Sequence, residues 1–170
     1  PADMTDSLLA HMVEYLKSLH QLPLPLSLKK LNISTAAEPY WQMLKDSNPS
    51  DELLKMKPLM QVAMNEPPAG NFCLCHMDTV LANWLYTAQG LQLLDWEYAG
   101  CGDLFIDLAN LAACNHFDAG TTDGLLQAYF AACTPALQAK LYLMRAWSAM
   151  REVIWSLIQQ QTAANEQVYS

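Results

Sequence analysis

Four side chains able to do polar chemistry fall in one short stretch of the sequence: His76 and Asp78 first, Asn83 five residues on, and Asp95 twelve residues beyond that. Transfer of a phosphoryl group to a hydroxyl needs a carboxylate to orient the alcohol and accept its proton. It also needs oxygen ligands for the magnesium that bridges the phosphates. One His, two Asp and one Asn can supply that set if they stand on loops at strand ends, where the backbone is fixed and the side chain projects into a cleft. Taken singly they have ordinary uses as well. Asp and Asn favour turns for local hydrogen bonding, and a His beside a buried strand commonly serves as a satisfied core residue.

The surrounding pattern provides such strand ends. Phe72-Cys73-Leu74-Cys75 is short, apolar and bounded by Gly70 and His76-Met77-Asp78, which reads as a brief buried strand. Asn83-Trp84-Leu85-Tyr86 and Leu91-Gln92-Leu93-Leu94 read as two more, joined as a hairpin through Thr87-Ala88-Gln89-Gly90, with Gly90 where a positive φ is needed. Helical patterns flank this cluster. After Asp3 and Thr5, either able to cap, Leu8, Leu9, Met12, Val13, Leu16 and Leu19 recur at helical spacing and predict a helix ending near His20, before Pro23 and Pro25. Glu38 to Lys45 and Asp51 to Met64 read as two further helices, the second capped by Ser50 or Asp51. Beyond Gly100 and Gly102 the pattern predicts helices over Leu104 to Asn115, Thr122 to Cys133 and Pro135 to Gln161. The expected fold class is α+β, mostly helical, as one domain over residues 1–170 with a small β-hairpin cluster carrying the site.

The run from His76 to Asn83, followed by Leu94-Asp95-Trp96-Glu97-Tyr98-Ala99-Gly100-x-Gly102-Asp103, resembles the catalytic core of the choline kinase and aminoglycoside phosphotransferase superfamily, which shares the protein-kinase fold. Leu19-His20-Gln21-Leu22-Pro23 is similar to the segment that ends the first helix of its C-terminal lobe. The resemblance implies an enzyme that uses ATP as co-substrate and Mg2+, with Asp78 as catalytic base, His76 bracing the catalytic loop, and Asn83 and Asp95 as metal ligands. Asp107 and Asn110 match the family's D-x-x-N, which anchors a helix or takes part in catalysis. Thr79-Val80-Leu81-Ala82 depart from the residues many relatives carry inside the loop. Trp155-Ser156-Leu157-Ile158-Gln159 resembles a segment of choline and ethanolamine kinases in which a W-x-x-W pair walls a cationic headgroup, with Glu152 here at the first Trp position. Glu97, Glu152 and Trp155 are therefore the candidates for holding a small cationic alcohol, choline or ethanolamine first. Trp147, two helical turns before Trp155, either joins them or packs the core. Thiamine kinase is the alternative, since its acidic loop has the same form, followed by an aminoglycoside enzyme or a non-catalytic binding module.

Composition agrees with a folded domain and narrows its partners. Hydrophobic residues make up 52% of the 170 and charged residues 15%, with no apolar run long enough to span a bilayer. The net charge of −8 argues against nucleic acid, and no Lys or Arg occurs from Pro58 to Ala139 while eight carboxylates do. Carboxylates gathered without basic partners suit a divalent cation or a cationic substrate. Five cysteines, an odd number, fit free thiols in a reducing cytoplasm, and Cys73-x-Cys75 reads as two small buried hydrophobes. No Gly-rich loop precedes the first helix, and Lys29 and Lys30 lie in an irregular stretch. The chain is thus expected to be a C-terminal catalytic lobe, with the lobe that grips the nucleotide's phosphates absent from it and no residue here assigned to the nucleotide.

Overall fold

In the computed structural model, the described residues are 5–24 and 72–168, with isolated positions 28, 42, 51, 54, 55 and 58 between them. The two helices expected between Glu38 and Met64, and the stretch with Lys29 and Lys30, lie otherwise outside the described residues. Helix α1 runs Asp6–His20, opened by Thr5, whose hydroxyl accepts from the Leu8 N–H. Its buried stripe is Leu9, Met12, Val13, Leu16 and Leu19, the face that the sequence periodicity marks.

Four short strands follow: β1 (Cys73–Cys75), β2 (Trp84–Thr87), β3 (Gly90–Leu93) and β4 (Gly100–Gly102). They form two separate antiparallel ribbons, β1 with β4 and β2 with β3, in which Cys73 faces Gly102 and Trp84 faces Leu93. The hairpin closes on Gly90 at φ 103°, as the turn requires. A single 3₁₀ turn, Leu81–Asn83, leads into β2, so Asn83 ends that turn instead of opening the strand. Strand β4 is a difference from expectation. Gly-Cys-Gly has no strand former at either end, and its extended form comes from pairing with β1. A Cβ at Gly102 would stand 3.0 Å from Ile106 Cδ1 and 3.1 Å from Met77 Cε, so glycine there admits close packing.

Helix α2 (Phe105–Cys114) follows, then α3 (Ala119–Phe130) and the long α4 (Pro135–Val168). Helix α3 starts three residues before the sequence expectation, because Asp118 caps it through the Thr121 N–H at 2.7 Å. Helix α2 packs chiefly on α4, α1 packs on α3 and on the strands, and every residue from Phe105 to Ala112 is buried. A helix buried all round must find partners inside the protein for its polar side chains. For α2 these are Asp107 and Asn110. Among the described residues no helix is long and apolar enough to cross a membrane.

Candidate active site

The chain passes from one ribbon to the other twice, from β1 to β2 and back from β3 to β4. Asp78 lies on the first crossing, and Asp95 lies on the second, which also carries Glu97. Asp78 and Asp95 line a single cavity of about 280 Å3, together with Glu97, Tyr98, Arg151, Glu152 and Trp155. Five of the seven residues named from the sequence therefore meet at one cleft. Of the other two, Asn83 touches Asp78, its Nδ2 donating to the carboxylate Oδ2 at 2.9 Å and to the Asp78 carbonyl at 3.0 Å. His76 lies beneath, fully buried, with its ring edge-on to Trp96 at 4.7 Å between centroids.

The first crossing has no ladder to satisfy its backbone, and α2 supplies acceptors for it. Asp107 takes the N–H of His76 at 2.9 Å and of Met77 at 2.7 Å. Asn110 accepts from the Thr79 N–H at 2.6 Å, and Asn115, just past the end of α2, accepts from the Leu81 N–H at 2.8 Å. The Asp78 N–H donates to His76 Nδ1 at 3.3 Å, which leaves the proton of a neutral ring on Nε2. Thus the buried polar groups of the helix and the unpaired donors of the loop satisfy one another. The D-x-x-N pair anchors the loop and does not line the cavity. His20, at the end of α1, completes the set with Nε2 3.0 Å from Asp107 Oδ2 and Nδ1 2.7 Å from the Tyr129 hydroxyl. Burial, with the nearby thiols and Asp107, pushes the Tyr129 phenol well above its ordinary range, so it remains a donor.

Two residues flanking this geometry have unusual backbones. Met77, buried at 3% exposure, has φ 69°, and Asp95 has φ 64°. A non-glycine residue in the left-handed region costs about 1–3 kcal/mol and persists only where its surroundings hold it. Met77 is held from both sides, by Asp107 at its N–H and by Arg151 Nη1 at its carbonyl at 3.0 Å. The second crossing is pinned by the Leu94 N–H to Asn83 carbonyl bond at 2.8 Å and by Trp96 Nε1 donating to the Leu93 carbonyl at 2.8 Å.

The charge of the site is more selective than the sequence implies. Seven of the eight carboxylates in the stretch without Lys or Arg are among the described residues. Of these seven, Asp103 pairs with Lys140 at 2.9 Å, Asp107 holds the loop, Asp118 caps α3 and Asp123 accepts from Gln138. Asp78, Asp95 and Glu97 remain at the cavity. Arg151 also stands there, its Nη2 donating to Glu152 Oε1 at 2.9 Å and its guanidinium 5.8 Å from the centre of the Trp147 ring. Trp147 itself is buried at 4%, whereas Trp155 is 44% exposed, so of the two only Trp155 offers a face to a ligand. Arg151, Tyr98 and His20 did not stand out as site residues in the sequence; the signal for Arg151 was its place beside Glu152 on one helix.

The donor set fits a hard divalent cation. The carboxylate of Asp95 offers oxygens, and because the Asn83 amide spends its Nδ2 on Asp78, its Oδ1 is the atom left to other partners. Comparison with known proteins agrees with the architecture. The crystal structure of a choline/ethanolamine kinase family protein from Mesorhizobium loti superposes with a TM-score of 0.75 at 23% identity, over 89% of this chain and 53% of that one. Choline kinase LicA from Streptococcus pneumoniae gives 0.71 at 19% identity, over 92% and 57%. Spectinomycin phosphotransferase gives 0.60 at 12%, over 92% and 54%. In sequence, thiamine kinase of Escherichia coli K12 is 34% identical over 80 residues, 47% of this chain and 29% of that protein. The chain therefore spans about half the length of these solved structures and under a third of that curated relative. Residues 2–152 match the phosphotransferase enzyme family (APH), and the chain accordingly belongs to this family.

Proposed function

We propose that this chain forms the acceptor side of an ATP- and Mg2+-dependent phosphotransferase that acts on the hydroxyl of a small cationic alcohol. The observation that carries the reading is the single cavity uniting Asp78 and Asp95 with the exposed face of Trp155. Asp78 is the base: its carboxylate, oriented by Asn83 Nδ2, accepts the proton of the attacking hydroxyl. His76 fixes the Asp78 backbone through Nδ1 and stays out of contact with the acceptor. Asp95 and Asn83 would hold the cation, which when bound neutralises charge on the phosphates. Trp155, Tyr98 and Glu97 meet the cationic part of the acceptor, and Arg151 offsets the charge of Glu152.

Two observations favour thiamine over choline or ethanolamine as that alcohol. One is the sequence match to thiamine kinase across 80 residues. The other is the aromatic lining, which is Trp155 and Tyr98 with an Arg151–Glu152 pair where a cage around a quaternary ammonium calls for further rings. A flat aromatic cation can stack on one indole face, whereas a tetrahedral headgroup gains most when enclosed. The nucleotide's phosphates would be gripped by a segment outside these 170 residues, since the chain has no Gly-rich loop ahead of α1. ADP release by the full-length protein on thiamine, choline and ethanolamine, side by side, tests both points. Thiamine should give the highest kcat/KM, and Asp78→Ala or Asp95→Ala should lower kcat by about 10²- to 10⁴-fold with acceptor binding retained. Turnover that survives both substitutions would overturn the reaction, and a choline preference would overturn the substrate.

A further inference from the structure

Cys73 and Cys75 stand at the first and last positions of β1, so their side chains fall on one face of the strand. That face meets His20 at the end of α1. The two sulfurs are 3.6 Å apart, and they and one imidazole nitrogen all lie within 4.8 Å of one another. Two thiolates held 2.3 Å from a zinc ion at the tetrahedral angle stand about 3.8 Å apart, so the sulfur pair already has the spacing that such an ion demands. Among the described residues no other group of three Cys, His, Asp or Glu side chains comes together in this way.

The geometry points to a binding site for a thiophilic d10 cation of the Zn2+ class, formed by Cys73, Cys75 and His20, separate from the phosphotransfer cavity. The imidazole is prepared for this in either orientation. If Nδ1 takes the ion, the Nε2 proton stays on Asp107; if Nε2 takes it, the Nδ1 proton goes to the Tyr129 oxygen. A second hydrogen bond that fixes ring and tautomer is a regular companion of metal-bound histidine. The thiols surrender little, because their present contacts are long: Cys73 Sγ to the Gly102 carbonyl at 3.6 Å and Cys75 Sγ to the Cys73 and Asp103 carbonyls at 3.8 and 3.5 Å. On binding, each thiol loses its proton to solvent and two sulfur–metal bonds and one nitrogen–metal bond form. Such an ion would tie the end of α1 to the strand that runs directly into His76.

The test is titration of the full chain with Co2+, followed by displacement with Zn2+. One equivalent should produce thiolate-to-cobalt charge-transfer absorption that Zn2+ abolishes. The double variant Cys73→Ser/Cys75→Ser should lose at least about 100-fold in affinity, while Cys101→Ser should match the parent, since Cys101 pairs with Leu74 and so falls on the opposite face of the ribbon from Cys73 and Cys75. Because the double variant could fail to fold, X-ray absorption of the Zn2+-loaded parent chain provides a direct reading, in which two sulfur and at least one imidazole scatterer are expected. A metal shell of oxygen and nitrogen alone, no charge-transfer band on the folded parent, or an undiminished band in the double variant would each overturn the site.

Discussion

Trp155 presents an exposed indole to the same cavity as Asp78, while Trp147, eight residues earlier, is buried under Arg151. Cation–π contacts are worth about 0.5–2 kcal/mol according to desolvation, so Trp155→Ala in the full-length protein should raise KM for the cationic acceptor about 2- to 30-fold. Trp155 would touch a part of the acceptor that does not react, so kcat should change much less; steady-state kinetics separates the two. An unchanged KM would remove Trp155 from the acceptor site. The residues at this cavity differ in how readable they were. Asp78, Asn83 and Asp95 stood out because their types and spacing belong to one chemistry, and each lies at the edge of a recognisable strand. Arg151 and Tyr98 did not, because an arginine on a helix and a tyrosine in a turn carry no spacing of their own. Only the packing of α4 against the first crossing aims Arg151 at the Met77 carbonyl. The stretch without Lys or Arg overstated the acidity of the site for a similar reason, since Lys140 reaches Asp103 from another element and Asp107 is taken up by hydrogen bonds to the first crossing and to His20.

Helix α2 is the element on which the site depends, although it contributes nothing to the cavity lining. Asp107→Ala would leave two buried backbone donors, on His76 and Met77, and the His20 ring without their acceptor. An unsatisfied buried donor costs about 1–3 kcal/mol, so this substitution should destabilise the protein by about 3 kcal/mol or more. Chemical denaturation would measure it; a change below about 1 kcal/mol would show that water or a shifted backbone replaces the carboxylate. Whatever folded protein remains should lose kcat more than acceptor affinity, because Asp78 is misplaced while Trp155 is not. At this scale the helices were the legible part. Stripes at helical spacing and the Thr5 cap located α1 closely, and α2 came within a residue at each end. Strand β4 and the start of α3 were not legible, the first because pairing and not propensity makes Gly-Cys-Gly extended, the second because Asp118 was read as one more acid and not as a cap.

For the whole molecule, the two-ribbon arrangement brings both acids to one cleft, yet on the proposed reading a cleft with only its acceptor side cannot enclose the phosphates. Catalysis by positioning and charge neutralisation depends on that enclosure. The isolated 170-residue chain should therefore show no turnover above background in an ADP-release assay, whereas the full-length protein should. Robust turnover by the chain alone would show that the phosphates are held from within it. A separate consequence follows from the way α2, with Asn115 just past its end, accepts the amides of His76, Met77, Thr79 and Leu81. Amides in a loop ordinarily exchange with deuterium at the rate of local fraying, but these four cannot open unless the loop parts from a helix buried all round. They should exchange with the slow, shared kinetics of α2, as members of the same cooperative unfolding unit, even though no strand or helix contains the first three.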